Sequence, residues 1–123
     1  MNPTSIVFLP CTNIHLTTHF YHEILGFPIF MKQNENVVIF DTGYGYWGFC
    51  EYSDGRKPLS GPTGVCLSIN YANQEEVQSK FKEMKEIYPI YKEPMHHSIF
   101  PVYSFFVQDP DGYVVEFQSI DKK

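Results

Sequence analysis

The 123-residue sequence has little of what marks nucleic-acid-binding or membrane proteins. Its nine lysines and arginines are scattered and are outnumbered by fourteen acidic residues, for a net charge of −5, so no basic patch is present to neutralise phosphates. No apolar run approaches the roughly 20 residues that span a bilayer, and the first residues do not resemble a signal peptide. Nucleic acid and membranes are therefore unexpected partners, and we expect a cytoplasmic protein.

Cysteine is also scarce. The three cysteines, Cys11, Cys50 and Cys66, are odd in number and widely spaced, which favours reduced thiols over a disulfide framework or a zinc cluster. A chain of this length can bury a core without such cross-links. The sequence therefore predicts one soluble domain without disulfides.

Aromatic residues, in contrast, are abundant, at 17% of the chain. Phe, Tyr and Trp bury large areas in protein cores, but this content exceeds what a core of this size ordinarily needs. We expect some of these aromatic side chains to line a cavity.

An internal repeat divides the sequence. The segment Phe20–Phe30 aligns without a gap with Phe81–Tyr91, which lies 61 residues further on, and both carry an aromatic-Pro-Ile-aromatic run. Repeats of this kind indicate two copies of one structural unit. The turn-rich segment Ser53–Pro62 separates them, so we predict one domain made of two modules, 1–57 and 62–123.

Each module is predicted to contain the same order of elements, β-α-β-β-β. Strands are predicted at 5–9, 28–32, 37–41, 46–52, 65–70, 90–92, 103–108 and 113–119, with helices from Thr12 or Asn13 to Leu25 and over 73–87. Because Pro94 and Pro101 bracket the segment 93–101, we predict an irregular loop there, over the site. The predicted fold class is therefore α+β.

Two motifs resemble the signatures of a known superfamily. They read Asn13-Ile-x-x-Thr17-x-x-Phe20-Tyr21-x-x-Ile24-Leu25-Gly26-Phe27 and Phe106-x-x-Asp109-Pro-Asp-Gly112-Tyr-x-x-Glu116-Phe. Together with the duplicated order of elements they resemble the vicinal oxygen chelate superfamily, which includes glyoxalase I, bleomycin-resistance proteins, fosfomycin-resistance transferases and extradiol dioxygenases. The resemblance implies two modules whose curved mixed sheets surround a small-molecule cleft, commonly in a homodimer.

Catalytic members of that superfamily hold a divalent metal through His and carboxylate ligands from both modules. The two positions that resemble the histidine ligand positions are occupied here by Ile6 and Gly64, neither of which has a donor atom. The position of the final ligand is occupied by Glu116, and Glu51 is a further acidic candidate. Two carboxylates without the histidines make a poor transition-metal site, so the sequence predicts no resident metal, although a hard divalent ion bound weakly is the alternative.

Glu116 is the first-choice site residue, whether it binds a ligand or acts in catalysis. His96 and His97 lie on the predicted loop, where site residues are common. The aromatic candidates could instead pack in the core, because strand alternation directs only about half of them to either face. The residues expected to line the cleft are Phe8, Trp47, Phe49, His96, His97, Tyr103, Phe105 and Glu116.

Two further groups are interpreted as structural. His15, His19 and His22 share one helix face, and because the apolar residues form a different stripe we expect these histidines on the surface. The Asp109–Gly112 segment has the composition of a tight turn, in which the Asp side chains bond nearby backbone groups.

Three functions remain open at this point. The first is a binding protein of the glyoxalase/bleomycin-resistance type that takes a planar or cationic small molecule in an aromatic cleft without a metal. The second is a metal-dependent enzyme, either a glyoxalase-like lyase or isomerase or a thiol transferase, in which Glu116, Glu51 and His96 or His97 replace the missing ligands. The third is a regulatory or accessory subunit with a vestigial cleft.

Overall fold

A computed structural model describes residues 2–121. The chain divides into two compact units, with the boundary between Leu59 and Ser60, inside the turn-rich Ser53–Pro62 segment. Each unit has the order strand, helix, three strands, which confirms the predicted α+β class. No helix within residues 2–121 is both long enough and apolar enough to span a membrane.

The first unit contains one four-stranded mixed sheet and one helix. Its elements are β1 (Ile6–Pro10), α1 (Ile14–Thr18) with a π-helical continuation (His19–Ile24), β2 (Ile29–Gln33), β3 (Val37–Asp41) and β4 (Tyr46–Cys50). The strand order is β1-β4-β3-β2, with β1 parallel to β4 and the other pairs antiparallel. The helix is therefore the crossover between the two edge strands.

The second unit repeats this topology. Its elements are β5 (Cys66–Tyr71), α2 (Gln74–Lys85), β6 (Lys92–His96), β7 (Val102–Gln108) and β8 (Val114–Ile120). The strand order is β5-β8-β7-β6, and only the β5–β8 pair is parallel.

The first helix begins and ends where its sequence predicts, but its second half is a π-helix and not an α-helix. Asn13 caps the N-terminus, because its side chain accepts hydrogen bonds from the N–H groups of His15 and Leu16. The last part is π-helical, and the N–H of Leu25 donates to the carbonyl of Phe20. Phe20 and the adjacent Tyr21 are both buried.

Contacts between aromatic rings form much of the core of each unit. In the first unit the ring of Tyr21 lies 4.5 Å from that of Phe49 and 5.4 Å from that of Phe40. In the second unit Phe105 lies 4.7 Å from Phe117 and 5.4 Å from Phe81. Such pairs contribute about 0.5–1.5 kcal/mol each beyond the area they bury.

Within the helices, the structurally equivalent residues differ by one position from those paired in the sequence alignment. The sequence alignment pairs Phe20 with Phe81. In the structure, however, Tyr21 is the helix residue whose ring packs against sheet phenylalanines as Phe81 does. The same spacing relates the two N-cap residues, Asn13 and Asn73. The ungapped alignment is therefore one residue out of register in the helices.

The largest error in the predicted elements concerns β6. A short strand at 90–92 and a loop from 93 were predicted, whereas β6 covers Lys92–His96 and the loop begins at His97. Pro94 lies in this edge strand where the pairing with β7 shifts register between Lys92 and Met95. A proline is tolerated at such a bulge because no backbone N–H is needed there.

Candidate functional site

Each sheet has one face packed against its own helix and a second face that this helix does not cover, here called the open face. Side chains alternate between the two faces along each strand. On the first sheet the open face carries Ile6, Phe8, Phe30 and Tyr46. On the second sheet it carries Cys66, Ser68, Lys92, Phe106 and Glu116.

Glu116 lies on the open face of the second sheet with one carboxylate oxygen fixed. Ser68, directly opposite on β5, donates its hydroxyl to Oε1 of Glu116 at 2.7 Å. The thiol of Cys66 lies 4.0 Å from the same oxygen. Within residues 2–121 no group is hydrogen-bonded to Oε2 of Glu116, so this oxygen is available to accept a hydrogen bond from a ligand.

An aromatic ring lies beside this carboxylate. Phe106 is directly opposite Glu116 on β7, and Lys92 is opposite Phe106 on β6. The Lys92 ammonium lies 5.7 Å from the centre of the Phe106 ring and 5.6 Å from that of Tyr91, within the range of cation–π attraction. The open face therefore presents a carboxylate, a phenyl ring and an ammonium in sequence across three strands.

Cys66 is not an activated nucleophile. Burial raises the pKa of its thiol, and the Glu116 carboxylate raises this pKa further, while the hydrogen bond with Ser68 lowers it. Reactive cysteines need the opposite change, a lowered pKa that populates the thiolate. The thiol is therefore a neutral group at the border of the site.

Aromatic rings occupy much of the open face of the first sheet. Phe8 is 48% exposed and its ring lies over Gly48, where an added Cβ would be 2.6 Å from ring atom Cδ1. Phe30 and Tyr46 form a second contact, with ring centres 4.4 Å apart. Gly48 is thus a position where the absence of a side chain lets an aromatic ring lie on the sheet.

The other four predicted wall aromatics lie on the helix-covered faces, which corrects their assignment to a cleft. Phe49 and Phe105 are 0% exposed and belong to the core, which is the alternative given for the aromatic candidates in the sequence analysis. Trp47 makes an edge contact with Tyr21 at 6.2 Å. Tyr103 accepts a hydrogen bond from Gln78 of α2 at 3.2 Å.

The two histidines predicted to lie on the loop are in different environments. His96 lies on β6, with Nδ1 3.5 Å from the Asp121 carboxylate and Nε2 3.4 Å from the Gln74 side-chain nitrogen. His97 is in the loop, where its Nδ1 accepts hydrogen bonds from the N–H groups of Ile99 and Phe100, both at 3.0 Å. His96 is thus on the helix-covered side, opposite to Glu116, and the His97 ring organises its own loop.

The helix histidines and the Asp109–Gly112 turn make contacts with nearby backbone groups or with solvent. His15 and His19 are exposed, whereas His22 is half-buried and its Nδ1 lies 2.8 Å from the carbonyl oxygen of Phe27. In the turn, the Asp109 carboxylate accepts hydrogen bonds from the N–H groups of Asp111 and Tyr113.

The residues at the family's metal-ligand positions do not fit a divalent metal site. Ile6 lies on the open face without a donor atom, and Gly64 lies in a turn, where its N–H donates to the carbonyl of Gly61. Glu51 accepts a hydrogen bond from the N–H of Ile14 at 2.6 Å, at the start of α1. Among residues 2–121 no three His, Cys, Asp or Glu side chains converge as a metal would require.

Three neighbours of Glu116 were not predicted from the sequence: Cys66, Ser68 and Phe106. The position of Phe106 could have been predicted from the Asp109–Gly112 turn. This turn pairs Gln108 with Val114, so two residues further from the turn on each strand Phe106 pairs with Glu116. Ser68 and Cys66 reach the site through the parallel β5–β8 pairing. No local turn fixes the register of such a pair.

Comparisons with known proteins agree with this architecture. The family described as the Glyoxalase/Bleomycin resistance protein/Dioxygenase superfamily matches residues 5–117. Comparison with curated protein sequences finds no match.

Solved structures share the fold at low sequence identity. A glyoxalase/bleomycin resistance protein/dioxygenase from Nocardioides has 12% identity and a TM-score of 0.80, covering 99% of this chain and 86% of its own. Lactoylglutathione lyase from Agrobacterium tumefaciens has 16% identity and a TM-score of 0.75, covering 97% and 94%. Because the family match extends over most of the sequence, the chain belongs to the glyoxalase/bleomycin resistance protein/dioxygenase superfamily.

Proposed function

We propose that this protein binds a small planar, cationic molecule and carries out no metal-dependent reaction. The observation that carries the proposal is the Glu116 carboxylate, which has one oxygen held by Ser68 at 2.7 Å and the other oxygen available. It lies beside the Phe106 ring on a face that the helix of its unit leaves open. An acceptor next to an aromatic surface suits a flat molecule that carries an N–H cation.

The charges around Glu116 support a cationic ligand. Within residues 2–121 no lysine, arginine or histidine forms an ion pair with this carboxylate, and the Lys92 ammonium instead lies over the rings of Tyr91 and Phe106. A ligand cation would supply the missing counter-charge through a charge-assisted hydrogen bond. The Phe106 ring would add stacking or cation–π attraction to the same molecule.

The chemistry of the donor set disfavours the metal-dependent alternative. A lyase, isomerase or transferase of this superfamily needs several ligands around one ion, with positions open to substrate. Of the candidate replacements, Glu51 is bonded to the start of α1 and His97 to its own loop. His96 lies beside Asp121 and Gln74. Glu116 would thus be a single ligand.

Two measurements test the proposal. The first is the metal content, by mass spectrometry, of protein purified without an affinity tag. The second is a fluorescence titration with proflavine, a planar cation, and with acridine, a similar ring system that is neutral at mildly alkaline pH. We expect no stoichiometric metal and saturable binding of proflavine that is at least about tenfold tighter than that of acridine, a difference of about 1.4 kcal/mol.

Substitutions identify the group responsible. Glu116→Gln keeps the shape and removes the charge, so proflavine affinity should fall about tenfold while acridine binding stays unchanged. Glu51→Gln is the matched control and should leave both affinities unchanged. Equal proflavine affinity of wild-type and Glu116→Gln protein would overturn the proposed role of Glu116. Near-stoichiometric metal that Glu116→Gln abolishes would instead establish the metal-dependent alternative.

We also propose that the protein acts as a homodimer in the cytoplasm. The first sheet's open face exposes Ile6, Phe8, Phe30 and Met31, and contiguous apolar surface of this kind commonly marks an interface. Cys11, Cys50 and Cys66 are all free thiols, which suits a reducing compartment. Light scattering should give twice the chain mass for the wild type and a lower mass for Phe8→Glu; a monomeric wild type at all concentrations would contradict the proposal.

A further inference from the structure

The two repeated units cap their helices differently. The N-cap residues, Asn13 and Asn73, occupy equivalent places. The pairing of Leu9 with Phe49 in the first sheet corresponds to the pairing of Ile69 with Phe117 in the second. The residue two positions further along the last strand is therefore Glu51 in the first unit and Ser119 in the second.

In the first unit the start of the helix is satisfied by protein groups. The Glu51 carboxylate accepts a hydrogen bond from the N–H of Ile14 at 2.6 Å. The Asn13 side chain accepts hydrogen bonds from the N–H groups of His15, at 3.0 Å, and Leu16, at 3.2 Å. All three N–H groups of the first turn, which have no acceptor within a helix, thus have partners.

In the second unit only one of the three equivalent N–H groups has a partner among residues 2–121. The Asn73 side chain accepts a hydrogen bond only from the N–H of Glu76, at 2.9 Å. Within residues 2–121 no acceptor is bonded to the N–H groups of Gln74 and Glu75. Ser119 occupies the place of Glu51, and it is 1% exposed with an Oγ that has no hydrogen-bond partner. A buried hydroxyl without a partner costs free energy unless a ligand or water binds it.

These unpartnered donors border one cavity. It has a volume of about 470 Å³, and its lining includes Gln74, Glu75, His96, Ser119 and Asp121. Two acidic residues of this lining, Glu75 and Asp121, would repel a highly charged anion. The Asp121 carboxylate is, however, close to His96, with 3.5 Å between its oxygen and Nδ1, and Glu75 is an exposed residue.

We propose that this cavity binds a small carboxylate at the N-terminus of α2. The bound carboxylate would take the place that the Glu51 side chain fills in the first unit. It would accept hydrogen bonds from the N–H groups of Gln74 and Glu75 and from the Ser119 hydroxyl, and the positive end of the helix dipole would favour its charge. The site is independent of Glu116, which lies on the opposite face of the same sheet.

An NMR titration tests this site with acetate as the probe. Amide signals of ¹⁵N-labelled full-length protein would be followed during addition of sodium acetate, with sodium chloride at equal ionic strength as the reference. We expect saturable shifts at Gln74 and Glu75 with acetate only. Ser119→Ala should weaken acetate binding about tenfold, since it removes one hydrogen bond to a charged group.

Ser119→Glu supplies the carboxylate from the chain itself, as Glu51 does in the first unit. This variant should no longer bind acetate, and its Tm should rise by about 3–6 °C, as expected for a gained helix cap. Absence of saturable shifts at Gln74 and Glu75, or acetate binding that neither Ser119 substitution changes, would overturn the proposal. Inorganic phosphate, titrated in parallel, should bind more weakly because of Glu75 and Asp121; tighter phosphate binding would overturn the assignment to a carboxylate.

Discussion

On the first sheet's open face, the Phe8 ring lies directly over the backbone of Gly48. An added Cβ at position 48 would meet the Phe8 ring at 2.6 Å. We predict that Gly48→Ala displaces this ring and lowers the free energy of unfolding by about 1 kcal/mol, the lower end of the range for overpacking, because Phe8 is only partly enclosed within its own chain. The change would be measured from urea unfolding curves.

Two controls separate the steric effect from the loss of a glycine. Gly45→Ala is the matched variant, since its nearest atom would be 3.5 Å away, and it should have little effect. In a Phe8→Ala background, Gly48→Ala should cost much less than in the wild type, giving a measurable coupling energy in the double-mutant cycle. Equal costs in the two backgrounds would refute the contact.

Alkylation of Cys66 reports on its two polar neighbours. Cys11 and Cys50 are buried and Cys66 is exposed, so iodoacetamide should label Cys66 first. Burial raises the pKa of Cys66, the Ser68 hydrogen bond lowers it and the Glu116 charge raises it. The midpoint of the rate–pH profile should therefore move to higher pH in Ser68→Ala and to lower pH in Glu116→Gln. Shifts of the same sign in both variants would contradict this arrangement.

At the scale of elements, the start of α1 depends on a residue from β4's C-terminal end. Glu51 accepts the N–H of Ile14 at 2.6 Å, so we predict that Glu51→Ala lowers the free energy of unfolding by about 1–2 kcal/mol, since it removes a cap and a favourable charge at the helix N-terminus. Glu51→Gln retains an acceptor and should cost less. Chemical denaturation would measure both. Glu35→Gln, an exposed acid in the β2–β3 turn, is the control, and an unchanged midpoint for Glu51→Ala would disprove the role.

The elements that were predicted well have strong local signals at both ends. Strand β3 has the predicted bounds, Val37–Asp41, because turn residues precede and follow it; Asn34, in the first of these turns, has a φ of 56°. Helix α2 follows its capping residue, Asn73, as predicted. Strand β6 was misjudged because Pro94 normally indicates a break, and only the bulge shared with β7 explains its place in a strand.

The faces of the strands were harder to predict than their positions. In β7 the adjacent residues Phe105 and Phe106 are both phenylalanines that point to opposite faces of the sheet. The sequence analysis selected Phe105 for the cleft, but its side chain is in the core. A shift of one residue moves a side chain to the opposite face. Glu116 was selected because the second motif contains it. Ser68 depends on a parallel pairing that no turn specifies.

At the scale of the whole molecule, one topology carries two different surfaces. The first unit exposes aromatic and aliphatic side chains on its open face, and Glu51 caps its helix N-terminus. The second unit has Glu116 on its open face and unpartnered donors at the start of α2. The two units share the strand order, while the side chains at equivalent positions differ.

The stability of the molecule at alkaline pH should depend on Tyr71. Burial, with Glu83 and Glu76 nearby, raises the pKa of Tyr71 to about 12, whereas in the unfolded chain it is about 10. The unfolded state therefore releases this proton first, and the stabilising contribution, complete below pH 10, is lost as pH rises from about 10 to about 12. For a side chain that is only partly buried, we expect a contribution on the order of 1 kcal/mol after allowing for solvent screening.

Tyr71→Phe tests this dependence because it keeps the ring, which stacks on Phe117 at 6.5 Å, and removes the ionisable hydroxyl. Urea unfolding midpoints of both proteins would be compared from neutral pH to about pH 12. Both should lose stability at high pH through their lysines, but the wild type should lose more than the variant between about pH 10 and 12. Parallel curves over that interval would show that Tyr71 ionises equally in the folded and unfolded chain. Tyr91→Phe, at an exposed tyrosine, is the matched control and should follow the wild type.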